Sequence, residues 1–109
     1  MNVRCEILVH PPSHEPIRTT TENLGIGGVC VVLEERLERF SVCILRLQLE
    51  EKPPTIEASA RVVWAIPTRE GSKGKKLFDT GIEFVQLDPE SLQTIQKFIA
   101  AKAAAPSSS

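Results

Sequence analysis

The 109 residues are enough for one domain with its own core, and 41% hydrophobic against 25% charged side chains exclude disorder over most of the length. Thirteen basic and fourteen acidic residues leave a net charge of −1, so no overall field draws the chain to a nucleic-acid duplex or an anionic bilayer. No run reaches the ~20 apolar residues of a membrane span, and the N-terminus lacks a secretory pattern. Cys5, Cys30 and Cys43 form no C-x-x-C pair and stand among apolar neighbours; the expectation is a soluble cytoplasmic protein with reduced thiols.

In chain order, Val3, Cys5, Ile7 and Val9 alternate with Arg4, Glu6, Leu8 and His10, a period of two that predicts a first strand stopped by Pro11-Pro12. The β-branched stretch "IRTTTEN" predicts a second strand and "GVCVVL" a third, short and buried. "EERLERF" reads as a polar connection with one helical turn. Residues 41–49, 55–66 and 76–87 read as three more strands, with Ile56, Ala58, Ala60, Val62, Trp64 and Ile66 on one face. Gly81 interrupts the last strand and marks a bulge or a close approach.

At Asp88-Pro89 the period changes: an Asp that caps free N–H groups precedes a Pro suited to the first helical position. Leu92, Ile95, Phe98 and Ile99 then recur at helical spacing, so a helix over 89–102 carries one apolar stripe to dock. The small and polar residues 103–109 read as a disordered tail, leaving 1–102 as the domain. Six short strands and one terminal helix predict an all-β sandwich or small barrel with the helix over an open end or face.

Gly25, Gly27 and Gly28 do not make a dinucleotide fingerprint, because Cys30 takes the sixth position and a strand follows where a helix is needed. Two readings stay open. Either the glycines form a tight turn with positive φ, or Asn23 and the bare N–H groups of that turn form a small anion-receptive surface. His10 and His14, separated by two prolines and lacking a third ligand, read as solvated loop histidines, so no metal site is expected. "SKGKK" (72–76) reads as a soluble basic turn. Phe40, Phe78, Phe84, Phe98 and Trp64 fall mostly at apolar-face positions, which speaks against a stacking platform for single-stranded nucleic acid. No nucleophile elbow or Cys–His pairing suggests an enzyme, and no cofactor is expected.

The stretches "TENLGIGGVCVV", "ARVVWAI" and "LFDTGIEFVQLDPESLQTIQKFI" together resemble the PilZ domain, with matching element order over residues 1–100. The resemblance implies a six-stranded antiparallel β-barrel with a C-terminal α-helix, and a bacterial receptor for cyclic di-GMP. Family members bind through an R-x-x-x-R pair ahead of the first strand and a [D/N]-x-S-x-x-G turn. Asn23 and Gly28 match the ends of the second motif, whereas Gly25 stands where the family has Ser. No two arginines lie four apart, and Arg4 and Arg18 are expected to stand in for the missing pair. The expected function is a non-catalytic domain that binds cyclic di-GMP at Asn23, Gly25, Gly28, Arg4 and Arg18 and relays it to another bacterial protein. The alternative is an adaptor of the same fold that has lost nucleotide binding.

Overall fold

The computed structural model describes residues 6–12, 15–49, 55–68 and 76–104. Six strands appear in chain order: β1 (Glu6–His10), β2 (Ile17–Leu24), β3 (Gly28–Leu33), β4 (Val42–Gln48), β5 (Ile56–Pro67) and β6 (Phe78–Gln86). They close into a barrel in the order β1-β2-β3-β6-β5-β4, every pair antiparallel, so the barrel expectation holds and the sandwich does not. The pairing of β1 with β4 closes the sheet, and the period-two alternation gives every strand an inner face. Ile7 and Val9, Val29, Val31 and Leu33, and Cys43, Leu45 and Leu47 all point inward and are buried, while the residues between them face out.

The helix α1 (Pro89–Ala104) begins as expected: the Ser91 amide donates to the Asp88 carboxylate at 2.7 Å and the Leu92 amide to the Asp88 carbonyl at 3.0 Å. Ile95 and Phe98 are buried in the barrel's core cluster, with Ile99 and Leu87 packed against it. The helix runs to Ala104, two residues into the segment read as tail. Residues 105–109, Arg4, Cys5, His14 and most of the "SKGKK" loop lie outside the described residues.

Three local expectations are corrected. Residues 34–40 form bends and turns with no helical turn, anchored by the buried Leu37. His10 ends β1 half-buried and not in a solvated loop, and its Nε2 atom is buried with no hydrogen-bond partner among the described residues. Trp64 and Ile66 leave the inner face of β5, being 38% and 54% exposed. The cause is a bulge: Val62 pairs with Ile82 but Trp64 pairs with Gly81, so Val63 is an extra residue and the alternation inverts after it.

Candidate functional site

A second bulge stands on β2. Thr21 pairs with Val31 but Asn23 with Cys30, so Glu22 is the extra residue and Asn23 turns outward. The two bulges bring four residues into one row across four strands: Asn23 opposite Cys30, Cys30 opposite Gly81, Gly81 opposite Trp64. The outer two are large or polar and the inner two are small. A shallow depression of about 270 Å³ results on the outer surface, bordered by Asn23, the glycine turn, Trp64 and Glu83.

Each glycine in this row has its own reason. A Cβ on Gly81 would land on the Trp64 indole, so the bare strand is what lets the ring lie flat across it. A Cβ on Gly28 would strike the Ile82 carbonyl oxygen and the Glu83 Cα at 2.8 Å, so Gly28 allows close approach of β3 to β6. None of the glycines in the turn takes a positive φ, which overturns the expected turn geometry. Instead the turn is tied by its backbone: the Gly25 amide donates to the Gly28 carbonyl at 2.9 Å and the Phe84 amide to the Gly27 carbonyl at 2.8 Å. The positive φ belongs to Phe40, at 71°, whose amide donates to the Val62 carbonyl at 2.6 Å just before the β5 bulge.

The electrostatics of the depression are not those of an anion trap. Among the described residues lining it there is no cation, and Glu83 supplies a carboxylate. The nearest compensation is Arg61, opposite Glu83 in register, whose terminal nitrogen lies 3.8 Å from the Glu83 carboxylate. Cys30 faces the depression, and burial raises its pKa, with the charges of Asp79 and Glu22 adding to the shift. Cys43, inside the core, is pushed to about 11 by burial alone. Both are free thiols held in the protonated form.

Of the expected site residues, the structure brings Asn23, Gly25 and Gly28 together at this depression. Arg18 is not among them. It stands five residues back along β2, roughly 16 Å at strand spacing, opposite Leu8 in the middle of β1. There it borders a larger hollow of about 480 Å³ with Glu34, Glu35 and Leu77. Trp64, Gly81 and Glu83 are the residues the sequence reading missed. Gly81 within an otherwise apolar strand was the available signal, but its partner could be found only once the bulge was known. Aromatic exposure also differs from expectation: Phe40 is 61% exposed, and of the five aromatics Phe98 alone is buried.

Among the described residues no helix is long and apolar enough to cross a membrane, and no three His, Cys, Asp or Glu side chains are grouped to hold a metal ion. No curated protein sequence matches the chain. Among solved structures, that of the Bacillus subtilis Inhibitor of motility (MotI/DgrA) is similar, with a TM-score of 0.73 and 22% identity. The likeness covers 97% of this chain and 50% of that one, so the chain spans about half the length of that protein and shares its fold. The PilZ domain family model matches residues 1–101. With the closed six-stranded barrel, the C-terminal helix and the asparagine-to-glycine turn all in the expected order, the chain belongs to the PilZ domain family.

Proposed function

We propose that this PilZ domain is a non-catalytic receptor in cytoplasmic cyclic di-GMP signalling, binding the nucleotide weakly at the Asn23–Gly28 depression and relaying it to a protein partner. The observation that supports this most is the cross-strand row Asn23–Cys30–Gly81–Trp64. It sets an amide and an outward-facing indole at opposite sides of a floor kept low by small residues. A guanine stacks on such a ring, and base–aromatic stacking is worth about 1–3 kcal/mol. The weakness follows from charge: two phosphates meet a lining without a described cation and with Glu83 beside them. The structurally similar protein is named an inhibitor of motility, which supports a regulatory output for this domain.

The same lining favours a second reading, in which the domain is an adaptor without nucleotide binding. Titration of cyclic di-GMP followed by amide chemical shifts separates the two. The receptor reading expects saturable changes at residues 23–28, at Trp64 and at Gly81, with Trp64→Ala weakening binding about tenfold or more. Unmoved shifts at these positions in high-micromolar nucleotide would leave the adaptor standing.

A further inference from the structure

We infer that the outer wall formed by β1, β4 and β5 is a contact between two copies of this chain, related by a two-fold axis parallel to the row His10–Ile44–Ser59. This stands independently of the reading given for the Asn23–Gly28 depression. His10 is opposite Ile44 and Ile44 opposite Ser59, so the three form one row across adjacent strands. Val9, Cys43, Leu45, Ala58 and Ala60 are buried, which turns that row outward together with Val42, Arg46, Glu57 and Arg61 on either side of it. Val42 and Ile44 are 52% and 37% exposed, consecutive outward positions of one strand given to β-branched apolar side chains. That strip is apolar surface available for burial.

The charges beside the strip select what covers it. On β4, Val42 lies two residues before Ile44 and Arg46 two after; on β5, Glu57 and Arg61 lie two residues either side of Ser59. Register sets Val42 opposite Arg61 and Arg46 opposite Glu57. A second copy turned by half a rotation about the row therefore brings Ile44 onto Ile44, Ser59 onto Ser59, Val42 onto the aliphatic stem of Arg46, and Glu57 onto Arg61. The last two contacts each occur twice. Facing sheets stand about 10 Å apart, a gap that a glutamate and an arginine close between them.

Within one chain Glu57 and Arg61 are separated along β5 by roughly 13 Å and do not meet. Arg61 keeps donors for the contact, since its terminal nitrogen lies 3.8 Å from the Glu83 carboxylate, beyond hydrogen-bond length. Arg46 is held toward β5 by its Nε bond of 3.0 Å to Glu57, so its guanidinium joins the same charge cluster. Because the signs interchange across the row, a uniformly acidic or basic partner leaves like charges facing, whereas a second copy pairs opposite ones at both ends. The closed barrel presents a convex wall, which confines the contact to these three strands and places the dimer among weak interfaces.

Sedimentation equilibrium of the native protein between about 10 µM and 1 mM should show a reversible monomer–dimer equilibrium, as fits an interface of that class. Amide shifts at Val42, Ile44, Glu57 and Ser59 should move with protein concentration over the same range, while those at Asn23 and Gly81 stay fixed. Ile44→Glu should be monomeric throughout. Glu57→Arg sets two arginines against each other at both ends of the axis and Arg61→Glu sets two glutamates, so each variant alone should be monomeric. Mixed in equal amounts they should dimerise again, because each glutamate then faces an arginine. Mixing repairs nothing inside either chain, so only a contact between copies produces that result. A native protein that stays monomeric, concentration-dependent shifts confined to other residues, or a dimer that Ile44→Glu leaves intact would each overturn the proposal. So would charge variants that dimerise alone or stay monomeric when mixed.

Discussion

At the scale of single residues, the three glycines of the turn are not equivalent, and their differences are measurable. Gly28 lies against backbone atoms of Ile82 and Glu83, which cannot rotate away, so Gly28→Ala must push β3 from β6. A loss of at least about 2 kcal/mol in urea unfolding is expected. Gly27 has nothing within 4 Å of its Cβ position and no positive φ, so Gly27→Ala should stay within about 0.5 kcal/mol of the native protein. Equal losses in the two variants would show that close approach of strands is not the reason for Gly28. Gly81 differs again, because what occupies its Cβ space is a side chain. Gly81→Ala should lift the indole of Trp64 from the sheet, and since the chain holds one tryptophan, its emission reports the event directly. A red shift is expected; unchanged emission would mean that the ring does not rest there. Phe40, with φ at 71°, carries the strain that the glycines lack. Its amide is held by the Val62 carbonyl and its ring by the Arg39 guanidinium, 4.9 Å above the ring centre, which keeps a costly conformation in place.

At the scale of elements, α1 offers a pH-dependent test of its first turn. The Asp88 carboxylate accepts from the Ser91 backbone amide and from the Ser91 hydroxyl, and these bonds lower its pKa below the ordinary 3.8. A depressed folded pKa means that the cap's contribution is complete above the unfolded value and is lost as pH falls through the folded one. Asp88→Ala should therefore lower the urea midpoint at neutral pH, and the difference from the native protein should shrink below about pH 3.8. Asp88→Asn, which caps without ionising, should retain its advantage over the alanine variant in acid. A gap between native and alanine proteins that stays constant down to pH 2 would rule out the carboxylate as the cap. The same helix shows what was legible in the chain. Asp88-Pro89 and the spacing of Leu92, Ile95 and Phe98 are local signals, and the structure follows them. Strand identities were legible for the same reason, since alternation at Ile7 and Val9 or Cys43, Leu45 and Leu47 is written in consecutive residues. The bulges at Glu22 and Val63 were not, because a bulge is a mismatch between two strands and exists only in their pairing. Half of the candidate site depends on them: the motif points to Asn23, whereas the alternation along β5 points Trp64 to the inner face and reverses at Val63, one residue earlier.

At the scale of the whole molecule, closure of the sheet decides how the domain can act and how it should unfold. With β1 paired to both β2 and β4, the described sheet has no free edge, so a partner cannot add a strand and must engage outward side chains. Closure also joins distant parts of the chain into one core. Leu45 at the middle of β4 and Ile95 on α1 are both fully buried in the same cluster, although fifty residues separate them. If that cluster is one cooperative unit, Leu45→Ala and Ile95→Ala should each cost about 2–5 kcal/mol and shift the midpoint without changing the denaturant slope. In both variants, helix content by far-ultraviolet circular dichroism and barrel integrity by Trp64 emission should be lost in coincident transitions. Helix signal disappearing ahead of Trp64 emission in Ile95→Ala would show instead that α1 undocks from a barrel able to stand alone. In that case the apolar face of Ile95, Phe98 and Ile99 becomes a surface that the domain can expose without unfolding, and α1 rather than the barrel wall becomes the element through which a bound nucleotide could reach a partner.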